Sequence, residues 1–416
     1  MGNSIVKLSN KERILIAIGI MNTAAIAFGG YFIAKWTVSL TGGASTLLLQ
    51  FCMQILPCFI AYFLTLKVLH IFKTSSMYAF SFVIQIIAYI IFFVVAKMGY
   101  PLQANIAFGL IAGVGNGVFW SCNNNFSVGF TSAQTRVKYI SYSGMGNMLM
   151  TMLSNILIIV LMVIFGGEID IPDIVYTMFF GTTLLFYVVA IVFSIKMDLS
   201  KYPTKFSVSM IKGYKEPRWK KFLWLNALYG MNNQIPDAIL GVTLIAFTMF
   251  SNYFYLAMVV LSIGIKALSN YVLKTKVVSR HRFPIYVVCV CLAAANLLAL
   301  TLTYTSEIGG YVALFVLIAN SLVLTLRTQT EAVVHYQSIA EFANNDVELS
   351  GRFLSREIAI TIGRIITAVV MLVTGYFFKE NISIVLVVIF GYTLASALTI
   401  YATNKHFKSI LEVKNH

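Results

Sequence analysis

The sequence predicts an all-α integral membrane protein, with about twelve transmembrane helices in two pseudo-symmetric six-helix bundles. Three observations carry that expectation: an apolar, charge-poor composition, a series of apolar stretches of spanning length, and a strict alternation in where the basic residues fall. Of 416 residues, 59% are hydrophobic and 11% charged, against about 25% charged in a soluble domain. A single soluble core has no use for that much apolar side chain, whereas lipid does. The net charge of +15 would point to nucleic acid in a soluble protein. Here it is explained by basic cytoplasmic loops, and no nucleic-acid partner is expected.

A span needs roughly 20 mostly apolar residues. That template selects residues 13–34, 45–66, 77–96, 103–123, 142–165, 174–195, 222–247, 252–273, 284–304, 309–330, 354–378 and 382–403. Backbone groups in hydrocarbon must bond within their own segment, so each stretch is expected to be a helix. The first follows a basic flank (Lys7, Lys11, Arg13), as a signal peptide would. It is too long for such a segment and contains Asn22, so a retained span is expected.

Orientation follows from the loops. With the N-terminus inside, the inner segments carry Lys67, Lys73, Arg136, Lys138, Arg280, Arg282, Arg352 and Lys405, while the outer loops hold only Lys35, Lys97 and Lys379 among acids such as Glu168, Asp170 and Glu307. Both termini are therefore expected in the cytoplasm of a multi-pass cell-membrane protein. The one long hydrophilic interval, Lys196 to Lys221, lies near the midpoint. It divides the chain into an N-terminal half (1–196), a basic linker (197–221) and a C-terminal half (222–416). Echoes between the halves agree in order: Met21-Asn22 with Met231-Asn232, Lys67 and Lys73 with Lys274 and Arg280, and Lys138-Tyr139-Ile140-Ser141 with Arg352-Phe353-Leu354-Ser355.

After the second span the chain runs Phe63-Leu64-Thr65-Leu66-Lys67-Val68-Leu69-His70-Ile71-Phe72-Lys73. Together with twelve spans, inner termini and six-plus-six duplication, this stretch resembles the major facilitator superfamily, whose signature at this loop is Gly-x-x-x-Asp-[Arg/Lys]-x-Gly-[Arg/Lys]. The basic character is kept, but Lys67 stands where the acid belongs, and Lys274 does so in the second copy. The chain thus resembles a divergent bacterial member with degenerate loop motifs, lacking the charged latch between halves. Helix five reads Gly144-Met145-Gly146-Asn147 with no proline through Gly167, unlike the drug–proton antiporters. The resemblance implies a secondary active transporter that works by alternating access around a midplane site, coupled to an ion or proton.

Charged groups near the bilayer centre cost about 2.5–3.5 kcal/mol each and so mark candidates. The deepest are Asp237 in helix seven, Lys266 in helix eight and Arg364 in helix eleven, while Arg327 and Glu331 lie toward the inner end of helix ten and Arg356 and Glu357 near the inner start of helix eleven. Lys266 and Arg364, with the polar residues Asn22, Trp120, Asn147 and Asn233, are the candidate substrate contacts. Asp237 and Glu357 are the candidate coupling acids, since a carboxyl in an apolar site can hold a proton. Two deep cations against one deep acid favour a small anionic or zwitterionic solute. Gly109, Gly113 and Gly117 recur every four residues on helix four, a spacing for close helix approach, and Asn147, Thr151 and Asn155 form a polar stripe on helix five.

A lipid flippase or scramblase on the same architecture is the alternative, and a membrane-embedded enzyme a more distant one. The five histidines (His70, His281, His335, His406, His416) lie at helix ends, in loops or in the tail, and the five cysteines sit in apolar stretches without zinc spacing. No phosphate-cradling Gly-x-x-x-x-Gly-Lys-[Ser/Thr] loop occurs. No catalysis, metal or cofactor is expected, and the working unit is expected to be a monomer in contact with membrane lipids.

Overall fold

The computed structural model describes residues 8–41, 45–129, 133–166, 171–197, 216–232, 252–275 and 346–377, with scattered helical positions between 287 and 343 and between 387 and 402. These residues are helical, and no strand occurs among them. The helices are α1 (Asn10–Thr41), α2 (Ser45–Val68), α3 (Thr74–Lys97), α4 (Pro101–Gly129), α5 (Ala133–Phe165), α6 (Asp173–Lys196), α7 (Pro217–Asn232), α8 (Asn252–Thr275) and α9 (Asp346–Phe377). Seven of them (α1 to α6 and α9) are long and apolar enough to cross a membrane. Most of the predicted helices nine, ten and twelve and of the linker lies outside the described residues, as do Asn233, Asp237, Arg327 and Glu331.

Several helices outrun the stretches expected from hydropathy. α5 starts at Ala133 and α9 at Asp346, where the apolar pattern begins at 142 and 354. Hydropathy marks the part of a helix immersed in lipid, but backbone bonding continues into the polar region beyond it. α1 starts on a reciprocal cap: the Ser9 amide donates to Glu12 (2.7 Å) and the Glu12 amide to the Ser9 hydroxyl (3.2 Å), the Ser-x-x-Glu capping box.

The N-terminal helices share one aromatic-rich core. Phe28, Phe32, Phe82, Phe92 and Phe179 are fully buried in it, with Phe93 stacked on Phe180 at 4.5 Å. α2 and α4 lie closest. A Cβ on Gly109 would meet the Gln50 carbonyl at 2.6 Å, one on Gly113 the Gln54 carbonyl at 2.6 Å, and one on Gly117 would collide with the Cys58 carbonyl. Both helices contribute every fourth residue to this seam, which is the packing role expected of the three glycines.

α9 is shared. On one side Gly363 presses on the Ala227 carbonyl of α7, the Ile360 carbonyl presses on Gly230, and the Thr367 hydroxyl donates to the Met231 carbonyl (2.8 Å). On the other side Ser350 reaches Asn125 of α4, Leu354 enters the core of the N-terminal helices, and Ala368 lies against Cys52 of α2. α8 packs on α5, as α9 packs on α2. The aromatic cluster at the start of α7 is separate: Trp219, Phe222 and Leu225 close on Ile339, Leu349 and Phe353.

Candidate functional site

Positions 350, 354, 357, 364 and 368 recur at three-, four- and seven-residue intervals, so they share the face of α9 that looks toward α2 and α4. Glu357 and Arg364 belong to it. Seven residues return a helix to within about 20° of the same direction but separate the Cα atoms by about 10 Å. Helical side chains lean toward the N-terminus, which carries the Arg364 guanidinium down toward Glu357. Its Nη1 donates to Glu357 Oε1 at 3.2 Å. The carboxylate side chain is 8% exposed and the guanidinium side chain 18%. Arg364 Nε is buried without a hydrogen-bond acceptor among the described residues. Cys58 of α2 lies within the electrostatic field of both members of the pair.

This pairing alters the expected charge balance. Arg364 is neutralised by an acid on its own helix and is not a free cation. Lys266, half-buried on α8, is engaged as well. A buried pair broken on one side leaves an uncompensated charge, at a cost of about 3–5 kcal/mol. Whatever draws Arg364 away must therefore leave Glu357 satisfied.

A second polar group lies where α1 crosses α5. Asn147 Oδ1 and the Ser143 hydroxyl are 3.8 and 4.0 Å from where a Cβ on Gly19 would stand, and Asn22, one turn further along the same face, is buried. Asn147 Oδ1 is buried and accepts no hydrogen bond among the described residues. The remainder of the helix-five stripe bonds to its own backbone, Thr151 to the Asn147 carbonyl (2.9 Å) and Asn155 to the Thr151 carbonyl (2.8 Å). Trp120 stands apart on α4, 40% exposed, with its ring edge-on to Phe119 at 5.3 Å.

The run Asn123-Asn124-Asn125 ties helices together. Tyr78 of α3 donates to Asn123 Oδ1 (3.3 Å), and Ser350 of α9 donates to Asn125 Oδ1 (3.0 Å). Two turns of α4 earlier, Gln85 donates to Asn116 (2.9 Å) and to the Ala112 carbonyl (3.1 Å). Sequence reasoning did not find the Arg352 cluster. Arg352 is 3% exposed, donates twice to Glu216 (3.0 and 3.1 Å), and lies 4.6 Å from the Trp219 ring centre and 5.4 Å from that of Phe342. Arg352 holds the Glu216 carboxyl below its ordinary range, chiefly through these hydrogen bonds. The available signal was a Trp two residues after a Pro, directly behind a basic linker.

No family model matches the chain, and no curated protein sequence matches it either. Solved structures do. The chain is similar to the nucleoside transporter NupG at 12% identity and a TM-score of 0.62, over 98% of this chain and all of that one. It is similar to a D-xylose–proton symporter at 12% identity and 0.64, over 94% and 96%. It is also similar to the major facilitator superfamily transporter FucP in its outward conformation at 13% and 0.55, over 96% and 98%. Similarity at this level of identity is a statement about fold. With its membrane-spanning helices and near-complete overlap with these structures, the chain has the major facilitator fold.

Proposed function

We propose that the chain is a secondary active transporter, which moves a small solute across the cytoplasmic membrane by alternating access of two six-helix halves, 1–196 and 222–416, joined by the linker 197–221. The observation that carries this reading is the buried Glu357–Arg364 pair in the seam between α9 and α2. Charge inside a membrane is costly, and on this reading the pair lies where helices of the two halves meet. Duplication of the halves is supported by two matching crossings. Ile20 of α1 faces Gly146 of α5, and Gly230 of α7 faces Ile360 of α9. The offsets of the sequence echoes, 210 for Met21 to Met231 and 214 for Lys138 to Arg352, carry the first pair of positions onto the second.

The pair also supplies a coupling scheme. A proton taken up by Glu357 releases Arg364, which then receives the negative group of an anionic or zwitterionic solute without leaving an unpaired charge. The orphaned Asn147 oxygen and Asn22 provide polar contacts on the opposite half. Lys266, Asn233 and Trp120 are further candidate contacts, and Asp237 is the second candidate coupling acid. With both termini cytoplasmic and the chain acting as a monomer in the cell membrane, one polypeptide supplies the whole pathway.

The test is untargeted mass spectrometry of cells and medium, comparing the wild-type chain with Arg364→Gln and Glu357→Gln at equal membrane abundance. A solute redistributed by the wild-type chain but not by Arg364→Gln is expected. Glu357→Gln is expected to lose pH-driven accumulation while retaining exchange. Identical profiles for all three would sink the reading, and lipid-flip assays would follow.

A further inference from the structure

The loops after helices two and eight carry Lys67 and Lys274 where a charged latch would need an acid, yet the inner ends of α4 and α9 are joined. Ser350 donates to Asn125 Oδ1 at 3.0 Å, with Asn125 fully buried and Ser350 4% exposed. Asn125 is itself fixed, since its Nδ2 donates to the Ser121 carbonyl at 2.7 Å. This hydrogen bond between side chains links the N-terminal helices to α9. Ser350 lies two residues before Arg352, whose guanidinium is held by both Glu216 oxygens and lies against Trp219 and Phe342. Arg352 therefore ties the first turns of α9 to the start of α7, and the register of Ser350 depends on that tie.

We propose that Asn125 and Ser350 form the closure that holds the inner ends of the two halves together, with Arg352 as the positioning residue that presents Ser350 to Asn125. The proposal rests on the transport reading above, because only halves that part need a closure that can release. The chemistry suits release. A hydrogen bond between two neutral groups leaves no unpaired charge when it opens, and its net worth is small. A buried ion pair at the same place would resist opening far more strongly. The polar run that ends in Asn125 thereby acquires a role as an anchor for α9.

The experiment is hydrogen–deuterium exchange on the full chain in lipid nanodiscs without substrate, followed in segments covering Ser121–Gly129 and Asp346–Leu354. Ser350→Ala is expected to speed exchange in both segments about fivefold, equivalent to about 1 kcal/mol, with α3 and α6 unchanged. Ser350→Thr, which keeps the hydroxyl, is expected to match the wild type. Arg352→Gln is expected to reproduce the Ser350→Ala pattern, and the double variant to go no further than the larger single effect, as for two residues acting through one bond. Unchanged exchange in Ser350→Ala overturns the proposal, as does an equal rise in α3 and α6, which would mark general destabilisation. Because no substrate is present, a chain that moves no detectable solute leaves this result standing. Equally, demonstrated transport does not rescue a closure that leaves exchange unmoved.

Discussion

Arg352 and Arg364 lie on one helix and solve the problem of a buried cation in different ways. Arg364 leans down its own helix to Glu357, whereas Arg352 uses two aromatic faces and a carboxylate that is half in solvent. The second arrangement responds to pH. Arg352 holds the Glu216 carboxyl below its ordinary range, so folding favours the ionised form. The resulting stability is fully present above the carboxyl's unfolded value and is lost as pH falls through the lowered folded value. The thermal midpoint of the wild type is expected to exceed that of Glu216→Gln at pH 7, with the gap closing below about pH 4. Solvent screening at a carboxylate this exposed keeps the gap small. Glu357 and Arg364 could each be singled out from sequence as expensive residues in lipid. Their partnership could not, because a seven-residue interval lies beyond the three- and four-residue pairs by which helical contacts are recognised.

At the level of helices, what hydropathy made legible was immersion, and what it missed was contact. The six N-terminal spans fall where the apolar pattern puts them, since lipid imposes both their length and their composition. The two-faced role of α9 was not legible, because a polar or small position on such a helix does not say which neighbouring helix it meets. The glycine seam of α4 was the exception, since three glycines four apart have few uses other than close approach. Gly117→Ala is expected to lower stability by about 1–3 kcal/mol, the cost of forcing a methyl group into a filled space. Gly181→Ala on α6, where an added Cβ meets nothing within 4 Å, is expected to lose none. Unfolding midpoints in detergent compare the two.

For the whole molecule, the contact of α2 with α9 and of α5 with α8 places two seams between the N-terminal helices and the rest. Cys52 of α2 lies 3.8 Å from the Ala368 carbonyl, so Ala368→Cys offers it a partner across the first seam. Mild oxidation is expected to form that disulfide, detected by the two halves staying together after cleavage in the linker. Crosslinked protein is expected to be inactive in transport until reduced, because halves tied at the seam cannot rock. Two helix crossings define another whole-molecule property. Where α1 meets α5 the bulky Ile20 faces the small Gly146, while the crossing of α7 and α9 places the small Gly230 against Ile360. What the two crossings hold in common is the room for one side chain, and either helix can supply it. A lineage that conserves a sum of volumes can exchange almost every letter while each helix keeps its place. Proteins sharing 12% of their residues with this chain can then superimpose over nearly its whole length, because packing fixes where helices lie and leaves most of their letters open.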